Sequence, residues 1–545
     1  MAVQHISGRI VDVVNRVEYP GTVEISGGLI RRLRRDARAL GNGLIMPGFI
    51  DAHIHIESSM LPPAEFARLA VVHGTVATVS DPHEIANVMG VAGVNYMIAE
   101  GRRTPFNFYF GAPSCVPATT FETAGATLDA RAVARLVGRK EIRYLAEVMN
   151  FPGVLAGDRE VAAKIAATRR GGKAVDGHAP GLRGAQAEKY AAAGITTDHE
   201  CVTLAEARDK LAAGMKILIR EGSAARNYAA LAPLLKSAPG HCMFCCDDLH
   251  PDLLVQHHID AHLRRALALG VNRFDALACA TLNPVRHYGL GVGLLREGDP
   301  ADFVVVKSWK NFRVQRTYLR GRLVAADGRS RLPRLPARVI NQFRAGARTA
   351  RDFAVPAAKG KLNVIEALNG QLITRHLRLA ARVLGNEAVA DPSRDLLKIV
   401  VVNRYKRRVP AAVGFIRGFG LDAGALASSV AHDSHNIVAV GADDASLAAA
   451  VNLVIKHRGG ISVVGQGKRK ILPLPIAGLM ATGDGYAVAR RYTELDAFAK
   501  KLGSKLDAPF MTLAFMALLV IPDLKLSDRG LFSGEKWAFE PLFEK

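Results

Sequence analysis

At 545 residues the chain is too long for one compact core, so two or three domains are expected. Its 49% hydrophobic and 22% charged residues exclude wholesale disorder, and six irregularly spaced cysteines exclude a disulfide framework. The net charge of +22 raises the question of a polyanion partner, but thirteen Lys or Arg and one acid, Asp327, crowd between Lys307 and Arg351, and no nucleic-acid-reading motif accompanies them. That stretch reads as a solvated basic surface on a link between domains, and no nucleic-acid partner is expected.

In chain order, the N-terminus lacks a basic segment followed by an apolar stretch and a small-residue cleavage site, so no secretory signal is visible and a cytoplasmic protein is expected. Residues 1–47 are short alternating apolar segments broken by Gly21, Gly27, Gly28 and Gly41, a pattern of small β-structure. From 48 to 284, short apolar runs alternate with Ala-rich helical text, the signature of repeated βα units. Residues 285–335 return to β-like text, and the flanks 1–47 and 285–335 are expected to build one small β domain, a β-sandwich. After the basic link, 345–545 reads as a mixed α/β domain. Its late apolar run, Phe510 to Ile521, has 12 residues between Pro509 and Pro522. That is too short to cross a bilayer, so it is expected to be buried and no membrane contact is expected.

Eight apolar runs can be read between 48 and 284, and each ends in polar or small residues. They finish at DAHIHIE (Asp51 to Glu57), SDPHE (Ser80 to Glu84), APS (Ala112 to Ser114), AEVMN (Ala146 to Asn150), DGHAP (Asp176 to Pro180), TDHE (Thr197 to Glu200), REGS (Arg220 to Ser223) and CDDLH (Cys246 to His250). Eight βα units in roughly 240 residues is the size of a closed (β/α)8 TIM-like barrel, whose reactive residues gather at the C-terminal ends of the strands. The His, Asp and Glu of this stretch lie there.

His53 and His55 are two apart on a strand, so both side chains leave one face and can share a cation. Glu147, His178, His199 and Asp247 each terminate a different later strand. Four His and two carboxylates at one barrel mouth form a mixed nitrogen and oxygen site for Zn, Mn or Fe in the 2+ state, and Glu147 between two positions suits a two-metal centre. Cys242, Cys245 and Cys246 read instead as strand residues, since positions 242 and 245 of a strand face opposite ways. His55–Ile56–Glu57 with Cys242 and Cys245 imitates a single-zinc deaminase signature, but no proline precedes Cys242 and the two pieces lie far apart.

PGFIDAHIHIESSM (Pro47 to Met60), DPHEIANVMG (Asp81 to Gly90), MNFPGV (Met149 to Val154), DGHAPGL (Asp176 to Leu182) and REGSAARN (Arg220 to Asn227) closely resemble adenine deaminases of the amidohydrolase superfamily. DDLHPDLL (Asp247 to Leu254), SSVAHDSHN (Ser428 to Asn436) and PFMTLAFMAL (Pro509 to Leu518) carry the resemblance over nearly the whole chain. PGFIDAHIH and the stretch from Ala280 to Val305 are common to the superfamily, whereas the others are specific to the adenine deaminase branch. Ala146–Glu147–Val148 replaces the usual Gly-Glu-Met, and Cys246 stands where Thr commonly precedes the acidic pair; neither change removes a ligand.

The resemblance implies an amidohydrolase-type barrel and a homo-oligomer that hydrolyses adenine to hypoxanthine and ammonia. It implies two divalent cations per chain, Mn2+ or Fe2+ before Zn2+, on His53, His55, Glu147, His178, His199 and Asp247, with Glu147 bridging. Asp247 would carry the proton from the attacking water toward the leaving amine. Glu84 is a second candidate for proton transfer, and His83 and Asp248 are candidates for substrate contact. Two other readings compete. Cyclic-amide hydrolases such as dihydroorotases bridge their metals with a carboxylated lysine at the fourth strand, but IRYLAEVMN holds Glu147 and no lysine. A non-catalytic basic binding protein would have no use for an intact six-residue set. Finally, His432, Asp433 and His435, just before the apolar run Ile437 to Gly441, are expected either to satisfy one another or to lean over the barrel mouth and close the pocket.

Overall fold

The structure is a computed structural model that describes residues 3–38, 41 and 43–544. The chain begins as a meander of Gln4–Asp12 (β1), Val17–Ser26 (β2) and Leu29–Arg35 (β3), antiparallel throughout. Ser26 pairs with Leu29, so the second turn has only Gly27 and Gly28 in it. Both carry positive φ, 63° and 79°, as a tight two-residue hairpin demands. Leu44–Pro47 (β4) then pairs parallel with β1.

The barrel follows. Phe49–Ile54 (β5), Thr75–Ser80 (β6), Asn107–Ala112 (β7), Ile142–Val148 (β8) and Val175–Gly177 (β9) form a five-stranded parallel sheet. Thr197–Asp198 (β10), Lys216–Arg220 (β11) and Cys242–Cys245 (β12) form a three-stranded one. Two seams join them. Thr196 N donates to Val175 O at 2.9 Å, and beyond β12 the Asp247 N donates to His53 O at 2.9 Å while His55 N donates to Asp247 O at 3.2 Å. All six residues of β5 and of β6 and all four of β12 are buried, as befits parallel strands covered on both faces. Helices return the chain between strands, and several are capped by the side chain before them: Asp129, Asp158 and Thr203 each accept a backbone N–H of the first turn.

Phe303–Val306 (β13), Val314–Leu319 (β14), Arg322–Ala326 (β15) and Arg329–Ser330 (β16) complete the N-terminal sheet, because β13 pairs antiparallel with β4. The two flanking segments are thereby hydrogen-bonded into one continuous sheet of eight strands. Its inner face, with Ile10, Val23, Ile45, Phe303 and Tyr318 among others, packs on itself as a separate apolar cluster.

The C-terminal part is built on a nine-stranded sheet. The helix Asp444–Lys456 covers one face through Leu447, Val451 and Val454. Leu426, Val438 and Val440 on the other face join the same core as the barrel. The basic stretch expected to be a link is one only in its second half: residues up to Ser330 belong to the sheet through β14, β15 and β16, while 331–349 runs in irregular conformation, tied by Tyr96 OH to Arg338 O and by Arg103 to Pro336 O. The run from Phe510 is buried and starts as the short helix Pro509–Phe515. Among the described residues no helix is long and apolar enough to cross a membrane. The six cysteines are buried and free.

Candidate active site

All eight predicted polar runs lie at the C-terminal ends of β5 to β12. The structure gathers the six residues proposed as metal ligands there, and each is at most 5% exposed. Glu147, at the end of β8, is the centre of the arrangement. Its Oε1 lies 3.3 Å from His55 Nε2, while its Oε2 lies 2.8 Å from His178 Nδ1 and 3.1 Å from His199 Nε2. Asp247 Oδ1 is 3.1 Å from His55 Nε2 and 3.5 Å from His53 Nε2. One carboxylate therefore has each oxygen against a different set of imidazoles, which is the geometry of a bridging ligand.

His53 Nε2 and His55 Nε2 are themselves 3.2 Å apart, both aimed at Asp247 Oδ1. Two imidazole nitrogens and a carboxylate oxygen converging on one buried point repel unless a cation shares it. His178 Nε2 and His53 Nδ1 are buried without a hydrogen-bond partner. Donor types and spacing thus fit divalent metal, and several overlapping groups of His and carboxylate are close enough to hold an ion.

Local backbone explains the aim. Asp51 Oδ1 accepts from His53 N at 3.2 Å and from Cys246 N at 3.1 Å, and Asp51 Oδ2 meets His258 Nε2 at 3.0 Å. One buried carboxylate therefore fastens β5 to the end of β12. Asp247 itself has φ of 57°, a left-handed conformation that Asp tolerates better than most residues. The kink separates the acidic pair: Asp247 turns to the histidines, whereas Asp248 Oδ1 accepts from Ser58 Oγ at 2.5 Å.

Two residues escaped the sequence reading. Arg220, at the end of β11, lies 2.5 Å from both Asp247 Oδ2 and Glu200 Oε1, and Glu200 lies 3.3 Å from His199 Nε2. Burial works against the charge on Asp247, but the Arg220 guanidinium and the two histidines hold it well below the usual carboxylate range. The signals were present in TDHE and in an arginine closing the apolar strand KILIR, but their pairing crosses strands.

His83 stands between the centre and the space above it, with Nδ1 2.8 Å from Asp81 and 3.2 Å from Glu147, and Nε2 3.7 Å from Asp433. Glu84 does not reach toward the histidines of the centre: its oxygens meet His432 Nδ1 at 2.6 Å and His435 Nε2. Burial opposes its charge, yet His432, His435 and His83 hold Glu84 well below the ordinary range, so it is an anion rather than an acid. The segment Ser428–Asn436 therefore does lie over the barrel mouth. His432, Asp433, Leu372, Phe515 and Leu518 of the C-terminal part line one small cavity together with His83, Glu84, Asp248 and the proposed ligands. The segment is anchored from behind by Arg404, which donates to His435 O and Ala477 O, and by Tyr405 OH, which donates to Ser434 O at 2.6 Å.

Residues 44–324 match the model of the amidohydrolase family, and residues 371–538 match that of the adenine deaminase C-terminal domain. The chain is 56% identical to an adenine deaminase of Salinibacter ruber over 99% of its own length and 98% of the relative's. It is 53% identical to one of Sulfurovum sp. over 97% of its length and 98% of the relative's. It is 48% identical to one of Methanosarcina mazei over 98% of its length and 99% of the relative's.

Proposed function

Because the chain belongs to the adenine deaminase family of amidohydrolases, we propose that it hydrolyses adenine to hypoxanthine and ammonia. The observation that carries the substrate is that the likeness runs through the C-terminal part as well as the barrel, and it is the C-terminal part that roofs the cavity. A cyclic-amide hydrolase is not favoured.

Two divalent cations, Mn2+ or Fe2+ with Zn2+ an alternative, would be held by His53, His55, Glu147, His178, His199 and Asp247, with Glu147 reaching both. When bound, they supply Lewis acidity that makes water a competent nucleophile near neutral pH. Asp247, kept anionic by Arg220, accepts the water's proton at Oδ1 and passes it to the departing amine. His83 and Asp248 offer polar contacts to the purine edge. Leu372, Phe515 and Leu518 give it an apolar cover and exclude bulk water. The relatives matched over nearly the whole chain are adenine deaminases, so free adenine is the preferred substrate and adenosine is not. A homo-oligomer is part of the same proposal.

Ammonia release from adenine, adenosine, guanine and dihydroorotate tests this reading on protein stripped with a chelator and reloaded with Mn2+ or Fe2+. Release from adenine alone, dependent on the reloaded metal, is expected. Comparable kcat/KM for adenosine, or full activity without metal, would overturn it.

A further inference from the structure

Addition of water oxygen to C6 of a purine drives an electron pair onto the neighbouring ring nitrogen, N1, and the step is easier if a proton arrives there. The Glu84 carboxylate, already anionic and flanked by His432 and His435, has none to give. The group it holds is better placed. His435 Nδ1 accepts the backbone N–H of Ala431 at 3.2 Å, so its hydrogen is on Nε2, the nitrogen beside Glu84. His432 Nδ1 faces Glu84 Oε1 at 2.6 Å. That leaves His432 Nε2, buried and without a hydrogen-bond partner, on the cavity side of the ring, 4.0 Å from Asp248 Oδ1. The ring is fixed in that pose by Phe515, stacked at 4.9 Å and 27°, and by its own backbone N–H on Ala514 O at 3.2 Å.

We propose that His432 is a catalytic residue that donates its Nε2 proton to the purine ring nitrogen beside C6, with Glu84, braced by His435, as its positioning residue. The proposal rests on the adenine deaminase reading and extends it. Burial disfavours the imidazolium, but Glu84 and Asp248 outweigh it and lift His432 to about 9, so the proton is present at neutral pH.

The balance closes. As the water oxygen bonds to C6, the C6–N1 π pair takes the His432 proton, and Asp247 takes one proton from the water. The C6–amine bond then breaks with its electron pair on nitrogen, which leaves as ammonia carrying the Asp247 proton. The hydroxyl on C6 becomes a carbonyl, and its proton returns to His432. One water proton thus ends on ammonia and the other on His432, replacing the one given to N1, and both side chains finish as they began.

The test uses metal-loaded full-length enzyme, with metal content matched between variants. His432→Gln keeps a polar contact but has no proton to transfer, so kcat on adenine should fall about 10²–10⁴-fold while KM changes by less than about 3-fold. His432→Ala should regain about tenfold of its lost kcat when imidazole is added, a rescue that a packing role would not give. Glu84→Gln should lower kcat by about tenfold or more, again with little change in KM. A His432→Gln enzyme with wild-type kcat, or a loss confined to KM, overturns the proposal. If the His432 variants do not fold, an unchanged kcat in Glu84→Gln overturns it instead. Failure of the wild-type enzyme to release ammonia from adenine overturns the underlying reading too, and that result is visible before any variant is made.

Discussion

Arg220 shows what a single side chain contributes to this site. It joins Glu200 and Asp247, two carboxylates that would repel one another in a buried space, through one nitrogen 2.5 Å from each. Removing one partner of a buried ionic set leaves charge uncompensated and costs about 3–5 kcal/mol. Arg220→Met is therefore expected to lower the unfolding free energy by that order, to weaken metal retention and to abolish turnover. A variant that melts with the wild type and keeps its metal would show that Arg220 is not the counter-charge. The acidic pair gives a sharper comparison. Asp247→Asn should keep the fold and lose about 10²–10⁴-fold in kcat, because a proton acceptor and a ligand charge disappear together. Asp248→Asn, which touches Ser58 and faces His432 but none of the proposed ligands, should lose less, with part of the loss in KM. The reverse ranking in ammonia-release assays would exchange their roles.

At the scale of elements, the roof is held by its neighbours as well as by its own hydrogen bonds. In the strand Leu524–Ser527, Lys525 Nζ donates to Leu372 O at 2.5 Å and to Phe515 O at 3.1 Å, tying together two segments that cover the cavity. Burial lowers this ammonium from its ordinary 10.5 to about 7. Between those values the unfolded chain binds the proton and the folded chain does not, so this group makes stability rise with pH. Relative to Lys525→Met, the wild type should gain about 1 kcal/mol per pH unit between pH 7 and 9, read from urea midpoints of both proteins. Parallel pH dependences would mean that Lys525 is neutral or charged in both states. Other elements were legible from the sequence: apolar runs ending in polar or small residues mark barrel strands because parallel strands are covered on both faces. That both flanks build one β domain was legible; that they do so as one continuous sheet and not as the expected sandwich was not, since it depends on β4 pairing with β1 on one side and β13 on the other.

For the molecule as a whole, the proposed metal centre links distant segments, so its occupancy should be felt globally. Protein stripped of metal is expected to unfold earlier, and free Mn2+ at 100 times its Kd should return about 2.7 kcal/mol per site. Calorimetric traces that coincide with and without metal would contradict a tight centre. The same reach explains which parts of the site escaped the sequence. His53 and His55 announce themselves by a spacing of two, and Glu147, His178, His199 and Asp247 by standing at strand ends. The turn of Glu84 toward His432 and His435, and the clasp of Arg220 on Glu200, are contacts between residues far apart in the chain, which no local pattern encodes. The choice between Asp247 and Asp248 hangs on one left-handed residue. That division of labour along the chain also has a meaning in time. Ribosomes release the chain N-terminus first, at about 5–20 residues per second, so all six proposed ligands emerge well before His432 and Phe515. For an interval the nascent barrel stands uncovered, and the easiest moment to receive its ions is then, before the finished protein shuts them in. Labelled Mn2+ supplied during cell-free synthesis should therefore be taken up faster than by completed apoprotein, and equal uptake rates would show that the lid is no obstacle to metal.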